Sequence, residues 1–147
     1  MLPQRRHPAK GIIEDDRTPT LIFLTVCTER RRPWLADPHI HETLVQVWRS
    51  ATHWEVGPYI LMPDHLHVIV SPIDARDANL GSFSAALKRW IRREVNAAWN
   101  WQPGCFDHLL RSDESLHEKW RYVQDNPVRA GLVQGAADWP YRIGLDD

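Results

Sequence analysis

The sequence predicts an α+β fold of the ferredoxin-like (split βαβ) class, and three observations carry that prediction. Apolar runs and amphipathic stripes follow one another in the order β-α-β-β-α-β-α, and the first six elements match the split βαβ arrangement. The second and third strands are joined by a tight turn, which pairs them antiparallel. A further helix follows the sixth element. We therefore expect an antiparallel sheet with two helices on one face, an open opposite face and a C-terminal helix.

The first four elements have clear local signals. The first strand covers 20–28, where apolar and β-branched residues run without interruption. Strands are also predicted at 55–61 and 65–71, on either side of the turn Met62-Pro63-Asp64. The helix between the first and second strands has one apolar stripe, formed by Ile40, Leu44, Val47, Trp48 and Ala51.

The remaining elements follow the same logic. A long helix is predicted over 80–99, and Pro103-Gly104 separates it from a short strand at 105–110. Ser112 and Asp113 are suited to cap the last helix. Pro127 should end or bend that helix, because the residue before a proline disfavours the α region. The apolar stripe of this last helix consists of Leu116, Trp120 and Val123.

Length and composition predict a single domain. The 147 residues suffice for one core and are few for two, so we assign 1–147 to one domain, with a flexible lead-in at 1–17 and a short tail at 134–147. No apolar run is long enough to cross a bilayer, and the N-terminal charges precede no apolar stretch of a secretory signal. The two cysteines form no CxxC motif, which fits a reducing compartment. We expect a soluble, cytoplasmic protein without a membrane partner.

The charge distribution is more informative than the net charge. A net charge of −1 argues weakly against nucleic-acid binding. However, basic residues cluster at 30–32 and 88–93, and all but three of the 18 basic residues are arginine, which suits bidentate phosphate contacts. A solvated helix face would give the same pattern. Of the eight tryptophans, most should pack in the core or at its edge, and some are candidates to stack on unpaired bases.

Two histidines on the third strand are candidate metal ligands. Strand side chains alternate, so His65 and His67 point to one face, whereas Leu66 and Val68 point to the helix-covered core. Both imidazoles should therefore lie side by side on the open face, where they can reach one ion. The alternative is a pair of half-exposed histidines without a ligand.

The last helix places a second group of polar residues beside its apolar stripe. Lys119, Tyr122 and Asn126 are spaced i, i+3 and i+7. Asn126 offers an amide oxygen as a third ligand, and two imidazoles with one amide would suit Mg²⁺ or Mn²⁺. Taken separately, Tyr122 is also compatible with an ordinary amphipathic edge residue, and Asn126 with a helix cap before Pro127.

Two motifs in combination resemble a known family. M-P-D-H-L-H-V-I-V-S-P at 62–72 resembles the histidine–hydrophobic–histidine strand of the HUH single-tyrosine transposases. R-Y-V-Q-D-N-P-V-R-A-G-L-V at 121–133 is similar to the tyrosine helix of their REP-associated branch, as is F-D-H-L-L-R-S-D-E-S-L at 106–116. The resemblance covers about 20–133. Relatives outside this branch carry glutamine where this chain has Asn126, which leaves metal affinity and choice open.

The resemblance implies a metal-dependent transposase and endonuclease. Tyr122 would be the catalytic nucleophile, forming a 5′-phosphotyrosine intermediate, and His65, His67 and Asn126 would hold Mg²⁺ or Mn²⁺. The substrate would be single-stranded DNA that folds into REP-like palindromic hairpins, cleaved and rejoined by a monomer or a homodimer. Asp64 and His108 flank the site in sequence and are candidates to orient it. Candidate DNA contacts are Arg30, Arg31, Arg32, Lys88, Arg89, Arg92, Arg93 and Lys119.

Three alternatives compete with this interpretation. The first keeps the fold and drops the chemistry, giving a domesticated, non-cleaving DNA- or RNA-binding protein. The second is a relaxase or replication initiator, disfavoured because Tyr59, the only tyrosine before the histidines, lies on a predicted strand. The third is a structural zinc site of Cys105, His108 and His117, which lacks zinc-type spacing.

Overall fold

The computed structural model describes residues 20–74, 76, 78–110 and 113–144, without the side chains of 113 and 114. The flexible lead-in predicted at 1–17 and the cap predicted at Ser112 lie outside these residues. The strands are β1 (Leu21–Cys27), β2 (Trp54–Leu61), β3 (His65–Pro72), β4 (Phe106–Leu110) and β5 (Arg142–Ile143). The helices are α1 (Pro38–Ser50), α2 (Leu80–Glu94), α3 (Asp113–Gln124) and α4 (Asn126–Arg129).

The strands form one antiparallel sheet in the order β4-β1-β3-β2-β5. Its first four strands have the split βαβ arrangement, so the predicted fold class is confirmed. β3 lies in the middle of the sheet and pairs with β1 on one side and with β2 on the other. Gly57 lies in the irregular part of β2, where a Cβ atom would approach the Ile69 carbonyl oxygen to 3.2 Å. Glycine therefore allows β2 to stay close to β3 at this point.

α1 and α2 cover one face of the sheet and enclose the main core. Leu66 and Val68 of β3 are fully buried there with Ile22 and Leu24 of β1. Both helices begin at a side-chain cap: Asp37 accepts from the Ile40 backbone N–H and Asn79 from that of Ser82, each at 3.0 Å. None of the helices among the described residues combines the length and apolar character that a bilayer span requires.

The opposite face is not open, as the sequence had predicted, but partly covered. Trp120 and Val123 of α3 pack there against Phe23 and Ile69, together with Trp139 from the C-terminal segment. The Trp139 indole N–H donates to the Leu61 carbonyl oxygen at 3.0 Å. The stretch predicted as a tail is therefore part of the fold: up to residue 144 it closes over the sheet and adds β5 to the β2 edge. β5 has only two residues, which is too short for a sequence pattern to predict.

A helix was predicted over 80–99, but α2 ends at Glu94. Asn96 adopts a left-handed conformation with φ of 52°, which breaks the helical path. The Arg92 side chain then holds the following loop by donating from Nε to the Trp99 carbonyl oxygen at 2.7 Å. The apolar spacing continues past Glu94, but these tertiary contacts end the helix.

Candidate active site

The two histidines of β3 lie side by side on the face opposite α1 and α2, as predicted. Their ring centroids are 4.6 Å apart, with the rings inclined by 71°. His65 Nδ1 lies 2.7 Å from Asp64 Oδ1, and His67 Nδ1 lies 2.8 Å from Thr25 Oγ1. When Nδ1 donates its hydrogen in these bonds, Nε2 carries the lone pair of each ring. In that tautomer, each ring would offer Nε2 to a metal ion.

Arg31 completes a small charged network around His65. Its Nε donates to Asp64 Oδ2 at 3.0 Å, and its Nη2 lies 3.1 Å from His65 Nδ1. Burial would raise the pKa of Asp64, but hydrogen bonds and charges from His65 and Arg31 outweigh it and lower the pKa. Arg30 and Arg31 both adopt left-handed backbone conformations, with φ of 57° and 55°. These two residues belong to the 3-10 turn Glu29–Arg31, and this backbone conformation places the Arg31 side chain next to His65.

Both imidazoles are held in their neutral form. Burial, together with the charges of His65, Lys119 and Arg31, lowers the pKa of His67 to about 3. Burial also lowers the pKa of His65, although Asp64 opposes the shift. Because only a neutral imidazole has a lone pair to donate, these shifts favour metal binding at neutral pH.

Phe23 connects the histidine strand to α3. Its ring centroid lies 4.9 Å from that of His67 and 5.4 Å from that of His108 on β4. Lys119 Nζ of α3 lies 4.7 Å from the same centroid, in a cation–π contact. The register of β1 with β3 and β4 produces this row, since Phe23 is opposite His108 and next to the Thr25–His67 pair.

Tyr122 lies one turn after Lys119 and is 65% exposed. It borders a shallow groove of about 520 Å³ between α3 and β4. The other two described tyrosines are less accessible. Tyr59 is buried, and its hydroxyl forms a hydrogen bond with His41 Nε2; Tyr141 is partly buried. Tyr122 is therefore the most exposed of the three described tyrosines, and its side chain borders this groove. The groove is lined by His108, Leu109, Leu110, Ser115, Glu118, Lys119 and Tyr122.

Arg129 holds Tyr122 and Asn126 together. Its Cζ lies 3.9 Å from the Tyr122 ring centroid, its Nη1 donates to the Tyr122 carbonyl oxygen at 2.8 Å, and its Nη2 donates to Asn126 Oδ1. α3 ends at Gln124, and Asn126 begins α4, so the predicted helical stripe from Lys119 to Asn126 is interrupted. Pro127 explains the break, because it disfavours the α region at the residue before it and occupies the first turn of α4.

The candidate metal ligands are only partly assembled. His65 and His67 lie side by side, whereas the amide oxygen of Asn126 accepts from Arg129. Within the described ranges, no three His, Cys, Asp or Glu side chains converge on one metal position. This finding removes support for the structural zinc site of Cys105, His108 and His117. It also means that a third protein ligand at the histidine pair must be of another type, such as the amide of Asn126.

The basic clusters divide into structural and exposed side chains. Lys88 donates to the backbone carbonyl oxygens of Gln102, at 2.9 Å, and Gly104, and Arg92 binds the loop after α2 in the same way. The side chains of Arg89 and Arg93 are exposed, as are those of Arg30 and Arg32. Four of the candidate DNA contacts are thus available at the surface, while Lys88 and Arg92 have donors committed to the fold.

Sequence reasoning missed Thr25, Phe23 and Arg129. Thr25 and Phe23 belong to β1, and their contacts with His67 follow from strand register, which the sequence alone does not give. Arg129 had a usable signal, since it follows Asn126 by three residues and Tyr122 by seven, close to helical spacing.

Comparisons with known proteins agree on one family, although no family model matches the chain. A REP-associated tyrosine transposase of Escherichia coli (strain K12) is 25% identical over 122 residues, covering 81% of this chain and 73% of that protein. A Haemophilus influenzae protein named as a candidate REP-associated tyrosine transposase is 27% identical over 135 residues, covering 81% of this chain and 76% of the relative.

Solved structures share the fold. A REP-associated tyrosine transposase bound to a REP hairpin superposes with a TM-score of 0.72 at 23% identity, covering 89% of this chain and 82% of that one. A candidate transposase of Deinococcus radiodurans superposes with a TM-score of 0.52 at 18% identity, covering 78% and 96%. The chain is thus similar in sequence to two REP-associated tyrosine transposases, and it shares the fold of the one bound to a REP hairpin.

Proposed function

We propose that the chain cleaves and rejoins single-stranded, hairpin-forming DNA in a metal-dependent reaction with Tyr122 as the nucleophile. One observation carries the proposal: the exposed Tyr122 follows Lys119 by one turn, and Lys119 lies over Phe23, whose ring packs on His67. A series of contacts thus links the helix of Tyr122 to the histidine pair, which supports the proposal.

His65 and His67 are the residues that would hold Mg²⁺ or Mn²⁺ through Nε2. Asn126 would add its amide oxygen as a third ligand after Arg129, which donates to that oxygen, has moved to a different acceptor. When bound, the ion would polarise the scissile phosphate and screen its developing charge. Asp64 and Thr25 fix the ring orientations, which is the usual task of hydrogen-bond partners behind metal-binding histidines.

Tyr122 would form the covalent intermediate. Its phenolic oxygen bonds to phosphorus, the bond from phosphorus to the 3′ oxygen breaks, and the released 3′ oxygen takes up a proton. The proton of the phenol must leave as attack proceeds. Arg129 Cζ lies 3.9 Å from the Tyr122 ring centroid, and Lys119 lies one turn earlier on α3. Reversal by another 3′-hydroxyl rejoins DNA, because the number of phosphodiester bonds is conserved.

The substrate class follows from the family and from the surface charge. The solved relative was bound to a REP hairpin, and we infer the same class of DNA for this chain. Exposed arginines at 30, 32, 89 and 93 are suited to the phosphate backbone, which supplies most of the affinity in such complexes. Monomer and homodimer both remain compatible with this chemistry.

The proposal is tested with labelled hairpin oligonucleotides from repeats beside the gene, mixed with protein and Mn²⁺ and separated on a denaturing gel. We expect a protein–DNA adduct that requires the metal and disappears in Tyr122→Phe. Tyr141→Phe is the matched control, because it removes a hydroxyl outside the groove, and it should retain the adduct. Binding of the hairpins without any adduct in the wild-type protein would instead support the non-cleaving DNA-binding alternative.

A further inference from the structure

Trp34, Trp99 and Trp101 contact one another in a row. The Trp34 and Trp99 ring centroids are 5.6 Å apart with the rings inclined by only 15°, and Trp99 meets Trp101 edge-on at 5.3 Å. The row runs from the interior to the surface. Trp101 is 8% exposed, whereas Trp34 is 36% exposed. Trp34 thus rests on an indole and keeps more than a third of its own surface in water.

The row is anchored by hydrogen bonds on the buried side. The Trp101 indole N–H donates to the Lys88 carbonyl oxygen at 3.2 Å, and the Trp99 carbonyl oxygen accepts from Arg92. The Lys88 side chain holds the next part of the same loop, because its Nζ donates to the carbonyl oxygens of Gln102 and Gly104. A large part of one basic cluster therefore fixes the loop that carries the tryptophans, and the row forms a firm base for its outermost ring.

The segment that carries Trp34 is hydrogen-bonded to the turn before the histidine strand. The N–H of Leu35 donates to the Pro63 carbonyl oxygen at 2.8 Å, and that of Thr28 donates to Asp64 at 3.0 Å. Pro63 and Asp64 form the turn that enters β3 at His65. The segment between β1 and α1 thus joins the exposed indole to the start of the histidine strand.

The charges around Trp34 select the kind of ligand. Arg30 and Arg32 are exposed in the same segment, and Arg31 is bound to Asp64. Glu29 is the only acidic residue from 29 to 36, so the segment is basic overall. An exposed aromatic face next to arginines matches the single-stranded nucleic-acid sites in which a base stacks and its phosphates meet cations.

We propose that Trp34 is a stacking site for one unpaired nucleobase of the DNA strand that passes the histidine pair. This inference rests on the proposed function, because it assumes a DNA substrate with an unpaired segment. It adds a specificity element that neither histidine nor tyrosine supplies: the site distinguishes a hairpin with a single-stranded extension from a fully paired one. Because every base has a π face, the stacking itself is tolerant of base identity.

The test measures binding in a Tyr122→Phe background, so that no DNA is cleaved. The probes are a fully paired hairpin and the same hairpin with a short single-stranded extension on either end, carrying 2-aminopurine at successive positions. Adding Trp34→Ala should weaken binding of an extended hairpin about 5- to 150-fold and abolish quenching of 2-aminopurine at one position. Affinity for the fully paired hairpin should not change.

Three control variants make the outcome specific. Trp34→Phe keeps an aromatic face and should retain most of the affinity and quenching. Trp34→Leu covers Trp99 with an apolar side chain but offers no π face, so it should behave like Trp34→Ala even if the latter folds poorly. Ile73→Ala removes an exposed apolar group in the connection from β3 to α2 and should change nothing.

Equal binding of the extended hairpin by the leucine variant and its parent would overturn the stacking site, as would an equal loss for extended and fully paired hairpins. If the Tyr122→Phe parent bound neither probe, the proposed DNA substrate would fail first and the stacking site with it. The covalent chemistry is judged separately by the adduct assay, so the two proposals fail in different experiments.

Discussion

The histidine strand and the tyrosine helix are held in the fold in opposite ways. β3 has a hydrogen-bonded neighbour on each side, and its inward residues Leu66 and Val68 are fully buried. α3 is attached mainly through Trp120 and Val123, and it leaves Tyr122 65% exposed. The polar contacts differ as well. His65 and His67 each form a hydrogen bond through Nδ1, whereas the Tyr122 ring is covered by the guanidinium of Arg129.

This difference matches the two tasks of the proposed reaction. Ligands of a metal ion must keep a fixed geometry, and a site in the middle of a sheet provides it. A nucleophile that becomes attached to DNA needs free space around its oxygen and some freedom of movement. We therefore expect changes at the histidine strand to alter stability or metal affinity, and changes at the tyrosine helix to alter reactivity with little effect on folding.

The largest expected effect is on stability. Leu66→Ala should lower the free energy of unfolding by about 2–5 kcal/mol, because it opens a cavity beneath the histidine pair in the main core. Leu132→Ala, after α4, is the matched control; that side chain is 46% exposed, and its loss should change stability by less than about 0.5 kcal/mol. Urea unfolding measures both, and similar losses in the two variants would contradict the contrast.

The next effect concerns metal affinity. Thr25→Val removes the hydrogen-bond partner of His67 Nδ1 with little change in shape, and it should weaken Mn²⁺ binding about 10- to 100-fold. Thr25→Ser keeps the hydroxyl and should bind nearly as the wild type does. Isothermal titration with Mn²⁺ gives the comparison. Unchanged affinity in the valine variant would mean that Thr25 does not orient His67 for a metal.

A third effect is the dependence of stability on pH without metal. The pKa of His67 is about 3 in the folded state, below its value near 6.5 in the unfolded chain. The unfolded state therefore binds more protons, and the contribution of His67 to stability is present above pH 6.5 and is lost as the pH falls toward 3. The slope for one such group is at most about 1.4 kcal/mol per pH unit.

This pH effect is measured by urea unfolding in EDTA from pH 7 to pH 5, with His67→Gln as the comparison. The variant should lose stability less steeply than the wild type over this range. His117→Gln is a control, because that histidine is exposed on α3, and it should leave the slope unchanged. Parallel profiles for the wild type and His67→Gln would show that His67 is not held neutral by burial.

The smallest effect is expected at Arg129. Arg129→Gln removes the cation over the Tyr122 ring and should cost about 0.5–1 kcal/mol of stability, as for exposed cation–π contacts. It should also make Tyr122 react faster with tetranitromethane, because the ring loses its cover. Tyr59, which is 3% exposed, provides the slow internal reference. An unchanged rate at Tyr122 would mean that Arg129 does not cover the ring in solution.

The sequence predicted features that depend on local periodicity. Alternation along β3 was enough to place His65 and His67 on the face opposite Leu66, and the spacing of Leu116, Trp120 and Val123 indicated which side of α3 packs on the sheet. The family resemblance was also visible from the residues themselves, because its two motifs are contiguous in sequence.

Features that depend on register or on distant partners were not predictable. The end of α2 depends on an arginine side chain that binds a later loop, and the covering of the second face depends on Trp139, whose partner Leu61 is far away in sequence. These elements determine what surrounds the histidine pair and Tyr122, and the sequence did not predict them.

The most direct test of the account is to identify the residue that becomes attached to DNA. Wild-type protein would be incubated with a hairpin substrate and Mn²⁺, digested with nuclease and protease, and its peptides analysed by mass spectrometry. The account predicts a nucleotide on the peptide that contains Tyr122, with none on the peptides of Tyr59 and Tyr141. Attachment at either of those tyrosines, or an adduct that persists in Tyr122→Phe, would contradict it.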